Sequence, residues 1–350
     1  MRSYEDNIRK VDPYVPGEQP QRKVIKLNTN ENPYPPSPNV QIAMDSMQME
    51  NLRLYPDPTA GLLVDELARY YGVSSNQVFV GVGSDDVLSM CFLTFFNSLK
   101  PIFFPDITYA FYKVWAKLYG IPYECKKLDA KFRLIKEDYY EENGGIIFPN
   151  PNAPTGLYET LDTVEDIVRH NPNVIIIIDE AYIDFAGPSA IELLEKYENL
   201  LVVQTFSKSR SMAGMRIGYA IGNPRLIQYL NDAKYSFNSY TMNQTSLVTG
   251  TESVKDKVYF DEVIQKILDT REWTKVELKK LGFEFPDAKT NFIFATHPRY
   301  QAKDLYLMLR EQDIYVRYWE NERIEQYIRI TIGTKEQMIQ LLTCLKNYIK

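Results

Sequence analysis

Residues 205–222 read TFSKSRSMAGMRIGYAIG and follow an apolar run at Leu200–Val203. Lys208 stands there among the hydroxyls of Thr205, Ser207, Ser209 and Ser211, and Arg216 follows eight residues later. A primary amine can attack a carbonyl or carry a proton, while hydroxyls beside a guanidinium suit an anion. Four other apolar runs end in comparable groups. Gln77–Val80 leads into Gly81-Val82-Gly83-Ser84-Asp85-Asp86, and Ile102–Phe104 into Pro105-Asp106-Ile107-Thr108-Tyr109. Ile146–Phe148 leads into PNPNAPTG, Pro149–Gly156, and Val174–Ile178 into Asp179-Glu180-Ala181-Tyr182.

Each group has a plainer reading. The first departs from a dinucleotide-binding GxGxxG at Asp86 and reads better as a helix start. Ser84 would be its N-cap, with acidic residues in the first turn. The free N–H groups of such a start also attract phosphate. PNAPTG alone is a turn. Asp179 after a hydrophobic strand is costly unless a cation or donor meets it. Tyr109, Tyr182 and Lys208, each taken alone, suit packing or a solvated surface.

The elements that would position these groups alternate between short apolar runs and longer amphipathic stretches. Continuous β-branched runs such as VIIII suit parallel strands covered on both faces. With Asp162–His170 in helical spacing, the pattern predicts an α/β layered domain with a mostly parallel sheet. Parallel strands bring all five polar groups to one rim, where open sheets bind ligands. A long charged helix over Asp256–Leu281 would carry the chain into a second, smaller domain. Strands are expected there at Asn291–Ala295, Ile314–Tyr318 and Tyr327–Ile332, and helices at Ala302–Gln312 and Lys335–Ile349. The proline-rich residues 1–35 read as an extended arm.

The 350 residues suit about two domains, and 45% hydrophobic with 25% charged content suits a soluble globular chain. No window approaches a membrane span, and the start, MRSYEDNIRK, has no signal-peptide core, so a cytoplasmic location is expected. Cys91, Cys125 and Cys344 are odd in number and widely spaced, which suits reduced thiols. A net charge of −6 without a long basic run disfavours nucleic acid. His170 and His297 are the two histidines, too few for a histidine metal site or a usual triad, so no metal is expected.

In order and spacing, these groups resemble those of the fold-type-I pyridoxal-phosphate aminotransferases. SKSRSMAGMRIG resembles the family's lysine signature, and DEAY, PNAPTG and GSDD stand in their usual order. The stretches VDPYVPGEQP, LNTNENPYPPSP, RLYPDPTAG and YIRITIGT are similar, more narrowly, to those of histidinol-phosphate aminotransferases. The resemblance implies a large domain over residues 36–245, with a mostly parallel seven-stranded sheet covered by helices. A smaller α+β domain over residues 246–350 and the arm complete it.

It also implies roles. Lys208 would bond to the aldehyde carbon of pyridoxal 5'-phosphate, Asp179 would pair with the ring nitrogen, Tyr182 would meet the ring's phenolic oxygen, and Tyr109 would stack on the ring. The backbone of Ser84 and Asp85, with Thr205, Ser207 and Arg216, would hold the phosphate. Many relatives read PNNPTG where this chain has Ala153, so either Asn152 or Tyr182 alone would serve the ring oxygen. A homodimer with shared sites is implied, in which Tyr55 reaches the other subunit's cofactor phosphate. Arg317 and Arg329 would grip a substrate phosphate, with Tyr14 of the arm closing over it. The expected reaction is transamination between L-histidinol phosphate and 2-oxoglutarate. Threonine-phosphate decarboxylation and aromatic-amino-acid transamination are the alternatives. A non-catalytic ligand sensor on this fold would need a DNA-binding segment that the arm does not resemble.

Overall fold

Short β-branched and aromatic runs build the centre of the molecule. The computed structural model describes residues 4–349; the outermost arm residues, 1–3, and the last residue of the small domain, 350, lie outside it. From the arm, β1 (Ile25–Lys26) leads to α1 (Pro38–Asp45) and α2 (Gly61–Tyr71). The alternating part follows as β2 (Val78–Gly81), α3 (Ser84–Phe95), β3 (Ile102–Pro105), α4 (Phe111–Tyr119), β4 (Tyr123–Lys126) and β5 (Ile146–Pro149). It continues as α5 (Leu161–His170), β6 (Ile176–Asp179), β7 (Leu200–Thr205), β8 (Gly218–Gly222) and α6 (Pro224–Phe237). Then come α7 (Gln244–Lys255), α8 (Lys257–Lys280), β9 (Phe292–Thr296), α9 (Ala302–Glu311), β10 (Ile314–Tyr315), β11 (Arg317–Tyr318), β12 (Tyr327–Thr331) and α10 (Lys335–Tyr348).

The large sheet has seven strands in the order β2-β8-β7-β6-β5-β3-β4. Only β8 runs against the rest, antiparallel to both β2 and β7. The other six therefore point one way, and the five polar groups do leave from one rim. Side chains alternate across the sheet. Phe104, Ile147, Ile177, Leu201 and Val203 enter one apolar layer, and Phe103, Ile146, Phe148, Ile176, Ile178 and Val202 the other. Such two-faced burial is why these strands read as unbroken apolar runs. β4, Tyr-Glu-Cys-Lys, was not foreseen as a strand: it is one of the sheet's two edges, half exposed, and carries no apolar run.

Around α8 lies a second layer, with β12 at the centre of the three-stranded antiparallel sheet β11-β12-β9. The single strand expected at Ile314–Tyr318 is split between two sheets. β10 pairs in parallel with β1 of the arm, and β11 pairs with β12. The arm thus contributes a strand to the small domain, and Leu27 enters its core. The expected boundary at 245/246 falls inside α7, which packs on α1 and α2, and Asp256 separates α7 from α8. Asp256 caps α8, accepting from the Tyr259 N–H at 3.2 Å. The two layers are riveted by buried Arg271, whose Nη1 donates to the carbonyls of Phe185 and Thr290, each at 3.0 Å.

Candidate active site

Glycine decides how the first polar group is built. Gly83, not Ser84, is the N-cap of α3, with φ 85°, and Ser84 is the first helical residue. The expected serine cap is therefore corrected: the left-handed backbone here favours glycine. A Cβ on Gly83 would lie 2.4 Å from Arg216 Nη2. A Cβ on Gly218 would lie 2.3 Å from the Ser84 nitrogen. Arg216 itself has φ 52°, bending the chain back so that its guanidinium lies beside the start of α3. Helix geometry leaves the first N–H groups of α3, at Ser84 and Asp85, without intrahelical acceptors. Thr205 Oγ1 donates to Ser207 Oγ at 3.0 Å, and Arg216 Nη1 donates to Ser207 Oγ at 3.4 Å. Amides, hydroxyls and a guanidinium from three separate segments thus form one anion cradle.

Beside the cradle, Asp85 accepts from the Tyr109 hydroxyl at 2.7 Å and lies 3.6 Å from Arg216. At the end of β6, buried Asp179 accepts from the Tyr112 hydroxyl at 2.8 Å and from the Ala181 N–H at 3.3 Å. Burial pushes its carboxyl up to about 6, and the charge of Asp85 adds to the shift. Neither donor is a cation, so a protonated ring nitrogen would supply the partner this carboxylate lacks. Tyr112 was not singled out in the sequence. Its position in α4, three residues after Tyr109, was the only signal.

Tyr109, Ala153, Pro154, Tyr182 and Lys208 line a cavity of about 320 Å³. Tyr14 from the arm, and Arg317 and Arg329 from the small domain, line it too. Lys208 Nζ donates to the Thr29 carbonyl at 3.0 Å and stands 5.9 Å from the Tyr182 ring centroid. Asn152 is buried, but its amide donates to the Ile107 carbonyl and Thr155 Oγ1, each at 3.0 Å. Both protons are spent, and among the described residues its Oδ1 has no partner. Asn152 as placed therefore has no amide proton free for a ring oxygen.

Arg317 and Arg329 face each other in register across β11 and β12. Arg329 Nη2 donates to the Asn28 carbonyl at 2.9 Å, while its Nε is buried and has no partner among the described residues. Burial, with Arg317 adding, lowers its guanidinium to about 10. Trp319 lies 5.5 Å from Arg317 and 5.2 Å from Arg329, centroid to guanidinium carbon, and had not been foreseen. Tyr14 stacks on Phe111 at 4.3 Å. Tyr55 is 82% exposed, stacks on Tyr240 and is not among the cavity's lining residues. His170 ends α5, stacked on Tyr140, and His297 is buried against Leu281, both outside the cavity.

A rim of strand ends with an anion cradle, a lysine and a buried carboxylate defines a group-transfer enzyme built around a phosphorylated aromatic cofactor. The profile for aminotransferases of class I and II matches residues 22–345, and the chain belongs to that family. It is 50% identical over 351 residues to the histidinol-phosphate aminotransferase of Clostridium botulinum (strain Hall), covering 100% of this chain and 99% of that one. The histidinol-phosphate aminotransferase of Sinorhizobium meliloti, solved in complex with pyridoxal-5'-phosphate, superposes with a TM-score of 0.85 at 22% identity, covering 94% of this chain and 92% of that one. The L-threonine-O-3-phosphate decarboxylase of Porphyromonas gingivalis superposes at 0.80 with 20% identity, covering 93% and 99%. Those structural likenesses show the fold, which is fold type I. The cradle, the cation-free Asp179 and Lys208 fit pyridoxal 5'-phosphate by the chemistry of their donors.

Proposed function

We propose that this chain transfers the amino group of L-histidinol phosphate to 2-oxoglutarate in histidine biosynthesis, with pyridoxal 5'-phosphate as cofactor. The carrying observation is the in-register pair Arg317 and Arg329, lining the same cavity as Lys208 and Tyr182. When bound, the cofactor supplies an electron sink for the carbon that loses its proton. Lys208 Nζ moves the proton at the carbon bearing the substrate's amino group. Asp179 holds the proton on the ring nitrogen, and Tyr182 donates to the phenolic oxygen. Tyr109 covers the ring face. The N–H groups of Ser84 and Asp85, with Thr205, Ser207 and Arg216, hold the cofactor's phosphate.

Arg317 and Arg329 take the substrate's phosphate and, in the other half-reaction, the far carboxylate of 2-oxoglutarate. The unpartnered Nε of Arg329 supports this, since an incoming oxygen would satisfy it. Tyr14 closes the cavity from the arm. A homodimer in the cytoplasm completes the reading. It is supported by the exposed apolar group Met49, Leu52, Leu54 and Tyr55 and by three free thiols.

A spectrophotometric half-reaction tests the proposal. Histidinol phosphate should shift the cofactor absorbance, and unphosphorylated histidinol at the same concentration should not. Arg329→Ala should raise KM for histidinol phosphate and for 2-oxoglutarate about 10- to 100-fold each, the loss of one charge-assisted contact. Carbon dioxide release from threonine phosphate, or equal turnover of phenylalanine, would replace this reading with a decarboxylase or an aromatic aminotransferase.

A further inference from the structure

Asn30 lies in the arm between β1 and α1, buried to 1% exposure, with φ 58°. Its backbone N–H donates to Thr331 Oγ1 at 3.1 Å. That hydroxyl, already an acceptor, donates its own proton to Asn30 Oδ1 at 3.1 Å. The amide oxygen of Asn30 is thereby assigned to Thr331, and the amide nitrogen faces the other way. It faces Tyr182, to whose hydroxyl oxygen Nδ2 donates at 2.8 Å. Tyr182 is the acceptor in that bond and has one proton left to give. Among the described residues no acceptor takes that proton, and Tyr182 lines the cavity.

We infer that Asn30 is a positioning residue for the reaction. Held by Thr331, it turns the phenolic proton of Tyr182 into the cavity, toward the ring oxygen of the bound cofactor. The inference rests on the proposed role of Tyr182. It adds the source of that tyrosine's polarity: without Asn30, the hydroxyl could equally accept from the cavity side or turn its proton away. Thr331 lies two residues beyond Arg329 on β12, so one strand carries both a substrate grip and the anchor of this relay. The Asn30 carbonyl is itself held by Asn291 Nδ2 at 3.0 Å, which fixes the segment from β9's side.

The test is a pH titration of the holoenzyme's cofactor absorbance. Asn30→Asp presents a carboxylate, which can only accept, so it takes the Tyr182 proton. Tyr182 would then no longer donate to the ring oxygen, and a proton held beside that oxygen at Lys208 Nζ would be bound more tightly. The midpoint should rise by about one to two pH units. Thr331→Val, close in size, frees the amide to turn over and should raise the midpoint by less. Thr331→Ser, which restores the hydroxyl, should return it to the parent value.

Tyr182→Phe should raise the midpoint by itself, and Asn30→Asp should add little on that background. An undiminished Asn30→Asp shift in Tyr182→Phe would overturn the inference, because the effect would then be the added charge. An unchanged midpoint in cofactor-loaded Asn30→Asp would overturn it too. Should Asn30→Asp not retain cofactor, an unchanged midpoint in Thr331→Val does so instead. A Tyr182→Phe enzyme with the parent midpoint would remove the proposed role of Tyr182 first, and the role of Asn30 with it.

Discussion

Asp179 shows what the site costs the protein before the cofactor arrives. Its carboxyl rises from 3.8 to about 6, chiefly because burial disfavours the charge. Below about pH 4 the group is neutral in both folded and unfolded chains. Between pH 4 and 6 the folded chain retains a proton that the unfolded chain has lost. The cofactor-free protein therefore loses stability as pH rises through this window, by about 3 kcal/mol at most. Asp179→Asn should remove that loss and make the cofactor-free chain more stable than the parent at pH 7, but not at pH 4. The same variant should hold pyridoxal 5'-phosphate more weakly. Denaturant melts at the two pH values, with cofactor binding followed by fluorescence, read both effects. A variant no more stable at pH 7 would mean that the carboxylate already has a compensating partner. Burial also pushes Glu180 up, to about 7, so the difference between the two proteins is the informative quantity.

At the scale of elements, the anion cradle depends on two close approaches, the Arg216 guanidinium at Gly83 and the Gly83–Ser84 backbone at Gly218. The reversed strand β8 brings Arg216 back beside the start of α3, and only glycine fits at residues 83 and 218. Gly83→Ala should displace the guanidinium and strain a left-handed backbone, costing about 1–3 kcal/mol in stability and most of the cofactor affinity. Thermal unfolding with and without added cofactor measures this. If the stabilisation that the cofactor gives were undiminished, the phosphate would lie elsewhere. The apolar strands of the large sheet were legible because two-faced burial demands continuous apolar sequence. β4 was hidden because an edge strand needs no such run. The break between β10 and β11 was hidden as well. Val316 is apolar and continues the pattern, while hydrogen-bonding partners change from the arm to β12.

For the molecule as a whole, the exposed Tyr55 separates a shared site from an independent one. Mixing Lys208→Ala chains with Tyr55→Ala chains tests it. If Tyr55 serves the other subunit, each mixed dimer has one intact site and one doubly damaged site. An equal mixture, exchanged and reannealed, should then reach about a quarter of parental activity. Activity no higher than the average of the two variants would place Tyr55 outside the partner's site.

The chemistry was legible in the local pattern: a lysine, a carboxylate, hydroxyls and an arginine lie at the ends of apolar runs, because local periodicity sets where strands stop. Tertiary structure decided which atoms those groups address. Asn30 and Thr331 are 301 residues apart in the chain, yet their hydrogen bonds set the direction of Tyr182's amide partner. Arg317 and Arg329 become a pair only through strand register. Tyr112 gives Asp179 its donor, and Asn152 spends its protons on neighbours that PNAPTG does not reveal. A hydrogen bond depends on tenths of an ångström and on direction, and both are fixed by packing between segments that are remote in sequence.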